Sequence, residues 1–95
     1  MSEKMYFVYI MANDHGTIYV GVTGDLHARV VQHKEGVIGG FTKKYSCHKL
    51  VYFEEYGQAE EAIARENQRK GWRRERKIEL IKKMNPTWFD LYQRL

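Results

Sequence analysis

The sequence predicts an α+β fold in which a three-stranded, mostly antiparallel sheet is flanked by helices. Three features indicate it: short aromatic and β-branched runs, longer segments with helical spacing, and glycines or polar turns between them. The predicted elements follow the order ββαβαα along 95 residues, a length typical of one domain. We therefore predict a single domain over residues 1–95, with a motif core at about 5–91.

Two strands are predicted near the start of the chain. The runs 5–11 (MYFVYIM) and 17–22 (TIYVGV) are both apolar, with aromatic and β-branched residues. Residues 13–16 (NDHG) between them tolerate turn conformations, so the two strands are expected to form a hairpin. A third strand is predicted over residues 50–53, with 54–56 as its tail.

The first helix is predicted from about Leu26 to Glu35. Residues 23–25 (TGD) supply capping oxygens before it, and Gly36 ends it. Residues 36–47 contain three glycines and no clear period, so they are predicted as a loop.

The two later helices carry most of the positive charge. They are predicted at 58–70 and 73–84, separated by Gly71 and followed by Asn85-Pro86. Residues 65–83 hold nine basic residues against three acidic ones, whereas the whole chain has a net charge of +4. Such a segment is either a solvated helix face with internal charge pairs or a surface that binds phosphates, and charge alone leaves both open.

Composition excludes several classes of protein. A single cysteine, Cys47, rules out a disulfide framework and a four-cysteine zinc site. No apolar run approaches the ~20 residues that cross a bilayer, and the first residues, MSEK, lack the apolar segment of a secretory signal. We expect a cytoplasmic protein without a membrane partner. The pI near 9.2 favours an anionic partner.

Two helices carry polar residues on stripes that should be buried. In the first helix, Arg29 and His33 share a face with apolar positions, and Glu66 continues the apolar stripe of a later helix. Burying an unpaired charge costs roughly several kcal/mol. The residues either form an Arg29–Glu66 salt bridge inside a small core, or line a cleft in which Arg29 binds a phosphate and Glu66 a divalent metal.

Two tyrosines in the predicted strands, Tyr9 and Tyr19, are further candidates. Taken singly, a strand tyrosine is usually a core residue with an exposed hydroxyl. Gly21 adds to the signal, because a glycine within a strand often marks a close approach by another backbone or a ligand.

The order of these residues resembles the GIY-YIG nuclease superfamily, over roughly residues 5–91. The resemblance is carried by Phe7-Val8-Tyr9, Tyr19-Val20-Gly21, Arg29, His33 and Glu66. The first triplet keeps only the tyrosine of the Gly-Ile-Tyr motif. The small single-domain bacterial members are especially similar, and they share Lys70-Gly71-Trp72, Asn85-Pro86 and Trp88.

This resemblance implies a metal-dependent endonuclease. Such an enzyme would hydrolyse phosphodiester bonds of nucleic acid, with DNA as the expected substrate and DNA repair or the processing of structured DNA as its setting. Glu66 would be the one carboxylate that anchors a single Mg²⁺ or Mn²⁺ ion. Mg²⁺ suits such a site because it keeps several waters and needs few protein ligands.

The resemblance also implies roles for five other residues. Tyr9 would position or deprotonate the attacking water, and Tyr19 would lie close to the same phosphate. Arg29 would bind the phosphate and stabilise charge in the transition state. His33 would hold a tyrosine hydroxyl or move a proton. Asn85 resembles a late asparagine that orients the site or binds the phosphate.

Six basic residues are predicted to contact the nucleic-acid backbone on either side of the site. They are Lys70, Arg73, Arg74 and Lys77 after Glu66, and Lys43 and Lys44 in the glycine-rich segment. Trp72 either packs in the core or stacks on a base.

Two other functions stay open on the sequence alone. A domain of the same fold could bind nucleic acid without cutting it. Alternatively, the acidic residues at 54–61 and the later basic block could mediate contacts with another protein. We expect no appended DNA-binding domain, and we therefore expect that a protein partner could supply specificity.

Overall fold

The computed structural model describes residues 4–95, so residues 1–3 of the predicted domain lie outside the described residues. The elements are β1 (Tyr6–Ala12), β2 (Ile18–Thr23), α1 (Leu26–Glu35), α2 (Phe41–Lys44), β3 (Lys49–Tyr56), α3 (Ala59–Gly71), α4 (Arg74–Met84) and a final 3₁₀ helix (Leu91–Arg94). The predicted α+β class is confirmed, as is the order of the three strands and the three longer helices.

The sheet has the order β2-β1-β3, and both pairings are antiparallel. β1 is therefore the central strand, and its residues 8–12 are completely buried. Burial on both faces explains why this strand is a continuous apolar run instead of an alternating one. β3 contains an irregularity opposite Ile10 and Met11, where one extra residue shifts the register.

The two faces of the sheet are covered by different helices. Val8 and Ile10 point to the face covered by α3 and α4, whereas Tyr9 and Met11 point to the face covered by α1 and the final 3₁₀ helix. This alternation follows from the two-residue period of a strand. It places Tyr9 on the same side as α1, which carries Arg29 and His33.

The prediction of a loop over residues 36–47 is wrong in part. Residues 41–44 form α2, a single helical turn that begins after Gly40 at φ +78°. A four-residue helix has too few residues to display a helical period, so the pattern could not reveal it. Within residues 4–95, the structure contains no helix that is both long and apolar enough to cross a membrane.

A partly buried ion pair ties α3 to the sheet. The Nε and terminal nitrogens of Arg69 donate to the two carboxylate oxygens of Glu54 at 2.9 and 3.2 Å. The hydroxyls of Tyr52 and Tyr56 donate to the same carboxylate. Burial alone would raise the pKa of Glu54, but these hydrogen bonds outweigh it and hold the pKa below its ordinary value.

Replacing Arg69 with Ala should therefore destabilise the fold by roughly 3 kcal/mol, because it leaves a partly buried carboxylate without its cation. Urea unfolding followed by circular dichroism measures the change. Arg65→Ala is the matched control, since Arg65 is an exposed base of the same helix. It should change stability by less than about 0.5 kcal/mol. Equal effects of the two substitutions would contradict the importance of the pair.

Candidate active site

Tyr9 is the centre of the candidate site. Its side chain is fully buried, and its hydroxyl lies 2.8 Å from Nε2 of His33 on α1. The other ring nitrogen of His33, Nδ1, lies 3.2 Å from Oγ1 of Thr42 on α2. β1, α1 and α2 therefore meet through one imidazole.

The imidazole of His33 is neutral at pH 7. Burial, together with the nearby charge of Arg29, lowers the pKa of His33 to about 4. In a neutral ring one nitrogen accepts and the other donates. In one tautomer the Tyr9 hydroxyl donates to Nε2 and Nδ1–H donates to Thr42; in the other, Nε2–H donates to Tyr9 and the Thr42 hydroxyl donates to Nδ1. Sequence reasoning missed Thr42, because it lies in the segment predicted as a loop and no motif marks it.

Gly21 permits the position of Tyr9. The two residues are direct partners across β1 and β2, and the Tyr9 ring lies over the Gly21 backbone. A Cβ atom added at Gly21 would come within 2.5 Å of the ring carbon Cζ and of the hydroxyl oxygen of Tyr9. The glycine in this strand therefore marks a close approach, but the approaching group is the Tyr9 side chain and not the backbone or ligand that the sequence predicted.

Tyr19 lies beside this pair. Its ring centroid is 6.4 Å from that of Tyr9 and 5.6 Å from that of His33. It is only partly buried, so this tyrosine connects the buried hydrogen bond with the surface.

Glu66 and Arg29 shift the pKa of Tyr9 in opposite directions. Burial raises the pKa of Tyr9 to about 12, and the neighbouring Tyr19 and Glu66 add to the rise. The charge and hydrogen-bonding capacity of Arg29 lower it. The structure thus brings Tyr9, Tyr19, Arg29, His33 and Glu66 into one neighbourhood.

The salt bridge that was one alternative for Arg29 and Glu66 is not the arrangement observed. Glu66 instead pairs with Lys70, one turn later on α3, at 3.2 Å. The Glu66 side chain is 13% exposed and that of Lys70 is 49% exposed, so the carboxylate is sheltered while the ammonium reaches solvent. Arg29 instead lowers the pKa of Tyr9.

The donor set at Glu66 fits a cation that needs few protein ligands. Residues 4–95 contain no group of three or more His, Cys, Asp or Glu side chains that could enclose a metal ion. The one sheltered carboxylate, whose charge reaches the Tyr9 hydroxyl, offers hard oxygen atoms. Mg²⁺ is commonly held by one or two carboxylates, with waters and substrate phosphates completing its shell.

Asn85 has a different place in the structure. Its side-chain amide donates to the backbone carbonyls of Val51 and Phe89, at 3.2 and 2.7 Å, and its Oδ1 accepts from the Phe89 N–H. It is buried and organises the turn after α4. These contacts give the amide a structural role. They do not support the expected role in orienting the site or binding phosphate.

The predicted basic contacts divide into two groups. Lys70 and Lys77 line a groove beside Tyr19, and Lys43 and Lys44 lie on α2. In the other group, Arg74 donates to the carbonyl of Gly16, and Arg73 lies in a separate pocket with Trp72.

Trp72 is predicted either to pack in the core or to stack on a base, and its position matches neither alternative fully. It is half-buried, and the guanidinium groups of Arg69 and Arg76 lie 4.2 and 3.9 Å from its ring centroid. These cation–π contacts occupy the ring that would otherwise be offered to a base.

The fold and the site define the chain as a GIY-YIG catalytic domain. The model of that family matches residues 5–79, and the chain belongs to the family. Its relatives include UPF0213 proteins. One from Staphylococcus epidermidis is 37% identical over 80% of this chain and 93% of its own length, and one from Staphylococcus aureus is 39% identical over 81% and 94%.

A solved structure agrees with this assignment. The solution NMR structure of a UPF0213 protein from Bacillus halodurans superimposes with a TM-score of 0.58 at 26% identity. The match covers 90% of this chain and 92% of that one. The predicted membership of the GIY-YIG superfamily is confirmed.

Substituting Gly21 with Ala should displace the Tyr9 ring and destabilise the fold by about 1–3 kcal/mol, the usual cost of overpacking. Chemical denaturation measures the loss, and the NMR signals of His33 report whether the hydrogen bond is broken. Gly57→Ala is the control, since a Cβ there meets no atom within 4 Å. A neutral Gly21→Ala would show that the ring moves aside freely.

The pH dependence of stability should carry the signature of His33. Between pH 6.5 and about 4 the unfolded chain binds a proton at this residue and the folded chain does not, so this residue's contribution to stability falls as the pH decreases through that window. An NMR titration of the ring should show a midpoint near 4. His33→Gln should lose less stability over the same window. A midpoint near 6.5 would mean that the ring is solvated.

Proposed function

We propose that this domain is a metal-dependent endonuclease that hydrolyses phosphodiester bonds of DNA. One observation carries the proposal: a buried tyrosine hydroxyl, paired with a neutral histidine, lies where an arginine and a sheltered carboxylate both influence it. Membership of the GIY-YIG family supports the same activity.

Hydrolysis of a phosphodiester needs a base for the attacking water and positive charge for the phosphate. Water forms a bond to phosphorus while a P–O bond to the sugar breaks, so one proton must be accepted and the leaving oxygen must receive one. We assign the first transfer to Tyr9. It must first lose its own proton, and Nε2 of His33, 2.8 Å away, is the acceptor in the tautomer that carries its proton on Nδ1.

The raised pKa of Tyr9 means that this hydroxyl is protonated in the resting protein. Positive charge nearby would lower that pKa. Arg29 already acts in this direction and is only half-buried, so it could also contact a phosphate oxygen. A divalent cation held by Glu66, Mg²⁺ or Mn²⁺, would supply further positive charge and polarise the phosphate when bound.

The ion pair at Glu66 favours a second candidate, a domain that binds nucleic acid without cutting it. The Lys70 ammonium, 3.2 Å from the carboxylate, occupies one of the positions a cation would take. If the pair persists in the presence of divalent ions, the basic groove would still bind phosphates while the reaction would not proceed. The two candidates therefore differ in what Mn²⁺ does to Glu66.

Glu66→Gln should abolish cleavage, because it removes the charge that holds the cation while keeping the side-chain volume. Branched, nicked and plain duplex DNA are incubated with the chain in Mg²⁺ and in Mn²⁺, and products are separated on denaturing gels. The rate should fall by at least about 10²-fold. Tyr9→Phe, which removes only the hydroxyl, should cost roughly 10²- to 10⁴-fold.

Glu61→Gln is the matched control, since Glu61 is an exposed acid in the first turn of the same helix. It should leave the rate unchanged. Mn²⁺ binding to the chain without DNA, followed by electron paramagnetic resonance, should be lost in Glu66→Gln only. Cleavage that survives Glu66→Gln would overturn the assignment of the site, and salt-sensitive binding without cleavage by the unchanged chain would favour the second candidate.

A further inference from the structure

A continuous series of aromatic rings leads from the candidate site to the open surface. Tyr19 stacks on Phe41 with centroids 6.2 Å apart and planes inclined by 27°, and Phe41 contacts Tyr45 at 4.7 Å. Phe41 is 45% exposed and Tyr45 is 42% exposed. Nζ of Lys44 lies 5.4 Å from the Tyr45 ring centroid, a longer and single contact compared with the two on Trp72. Asp14 lines the hollow beside Tyr45. We call Tyr19, Phe41 and Tyr45 the aromatic platform.

The platform is held in place by buried polar contacts. Thr42, between Phe41 and Lys43, is buried and bonded to His33, and its carbonyl accepts from the Cys47 N–H at 3.0 Å. The side-chain amide of Asn13 donates to the carbonyl of Tyr45 at 2.8 Å. These contacts fix the backbone on both sides of the exposed rings, so the rings present a prepared surface and need little ordering on binding.

The surroundings of the platform are basic. A shallow groove of about 280 Å³ runs along it, lined by apolar residues of β2, the rings of Tyr19 and Phe41, and the side chains of Lys70 and Lys77. Lys43 and Lys44 follow Phe41 on α2. The lining of this groove includes no acidic side chain. Exposed aromatic faces flanked by lysines complement a ligand that combines flat apolar rings with phosphates.

We propose that the platform stacks an unpaired nucleobase, so that the substrate is single-stranded or locally unpaired beside the bond that is cut. The proposal rests on the proposed function for its place next to Tyr9, and adds the class of substrate. In a duplex each base face is covered by its neighbours, so only an extruded or unpaired base offers a face to Phe41 or Tyr45. The lysines would hold the flanking phosphates.

The experiment measures binding in EDTA, where no metal-dependent cleavage takes place. Fluorescence anisotropy follows a labelled single-stranded oligonucleotide, the same sequence as a blunt duplex, and an abasic strand of equal length that keeps the phosphates but lacks the bases. The unchanged chain should bind the single strand more tightly than the duplex. DNA and RNA versions of the strand show which sugar is preferred, and either one supports the platform.

Phe41→Ala and Tyr45→Ala should each weaken binding of the single strand on the order of ten-fold, the usual effect of losing one aromatic stacking contact. Binding of the duplex and of the abasic strand should change less than two-fold. Phe41→Leu keeps the apolar volume on α2 and should behave like Phe41→Ala, which separates stacking from local unfolding. Phe89→Ala removes an equally exposed ring elsewhere in the chain and should have no effect.

Equal losses on all three ligands, or no loss on any, would overturn the platform. Full binding by Phe41→Leu would also overturn it, because apolar contact would then suffice without a ring. Failure of the proposed function shows differently: a chain that binds the single strand through Phe41 but cuts no substrate in Mn²⁺ keeps the platform and loses the nuclease.

Discussion

The hydrogen bond between the Tyr9 hydroxyl and His33 Nε2 is the contact on which the site depends. It is buried, it joins the central strand to α1, and the other side of the same imidazole reaches Thr42 on α2. A hydrogen bond in a buried site is costly to leave unmade, so the three elements are held in one arrangement. Gly21 is part of the same constraint, since only a residue without a Cβ leaves room for the ring.

The charged groups near this hydrogen bond shift the pKa of Tyr9 in opposite directions. Arg29 favours ionisation of Tyr9, while burial and Glu66 disfavour it, and the outcome in the free protein is a neutral hydroxyl facing a neutral imidazole. Lys70 neutralises Glu66 from the solvent side. The pKa of Tyr9 therefore responds to an added cation or phosphate. A cation would offset the effect of Glu66, and a phosphate would offset the effect of Arg29.

The two faces of the sheet carry different groups: one carries a stabilising ion pair, and the other carries the candidate tyrosines and His33. On one face, the partly buried pair of Glu54 and Arg69 fixes α3 against β3. Glu66 lies one turn before Arg69 on that helix, so the position of the carboxylate depends on a contact outside the candidate site. On the other face, the tyrosines and His33 pack between the sheet and α1, and the aromatic platform extends this cluster to the surface.

The sequence by itself determined the α+β class, the order of the main elements, the family and the residues to consider, because period, turn chemistry and spacing are local properties of the chain. The anomalous positions of Arg29, His33 and Glu66 were visible in the same way. Tertiary structure decided what each residue contacts: Glu66 pairs with Lys70 instead of Arg29, the amide of Asn85 holds a turn, and Thr42 joins the site from α2. The contacts of Asn85 with Val51 and of Tyr9 with His33 join elements far apart in the chain, so packing sets them. Glu66 and Lys70 are neighbours on one helix, but the absence of a Glu66–Arg29 pair depends on how α1 and α3 are placed around the sheet.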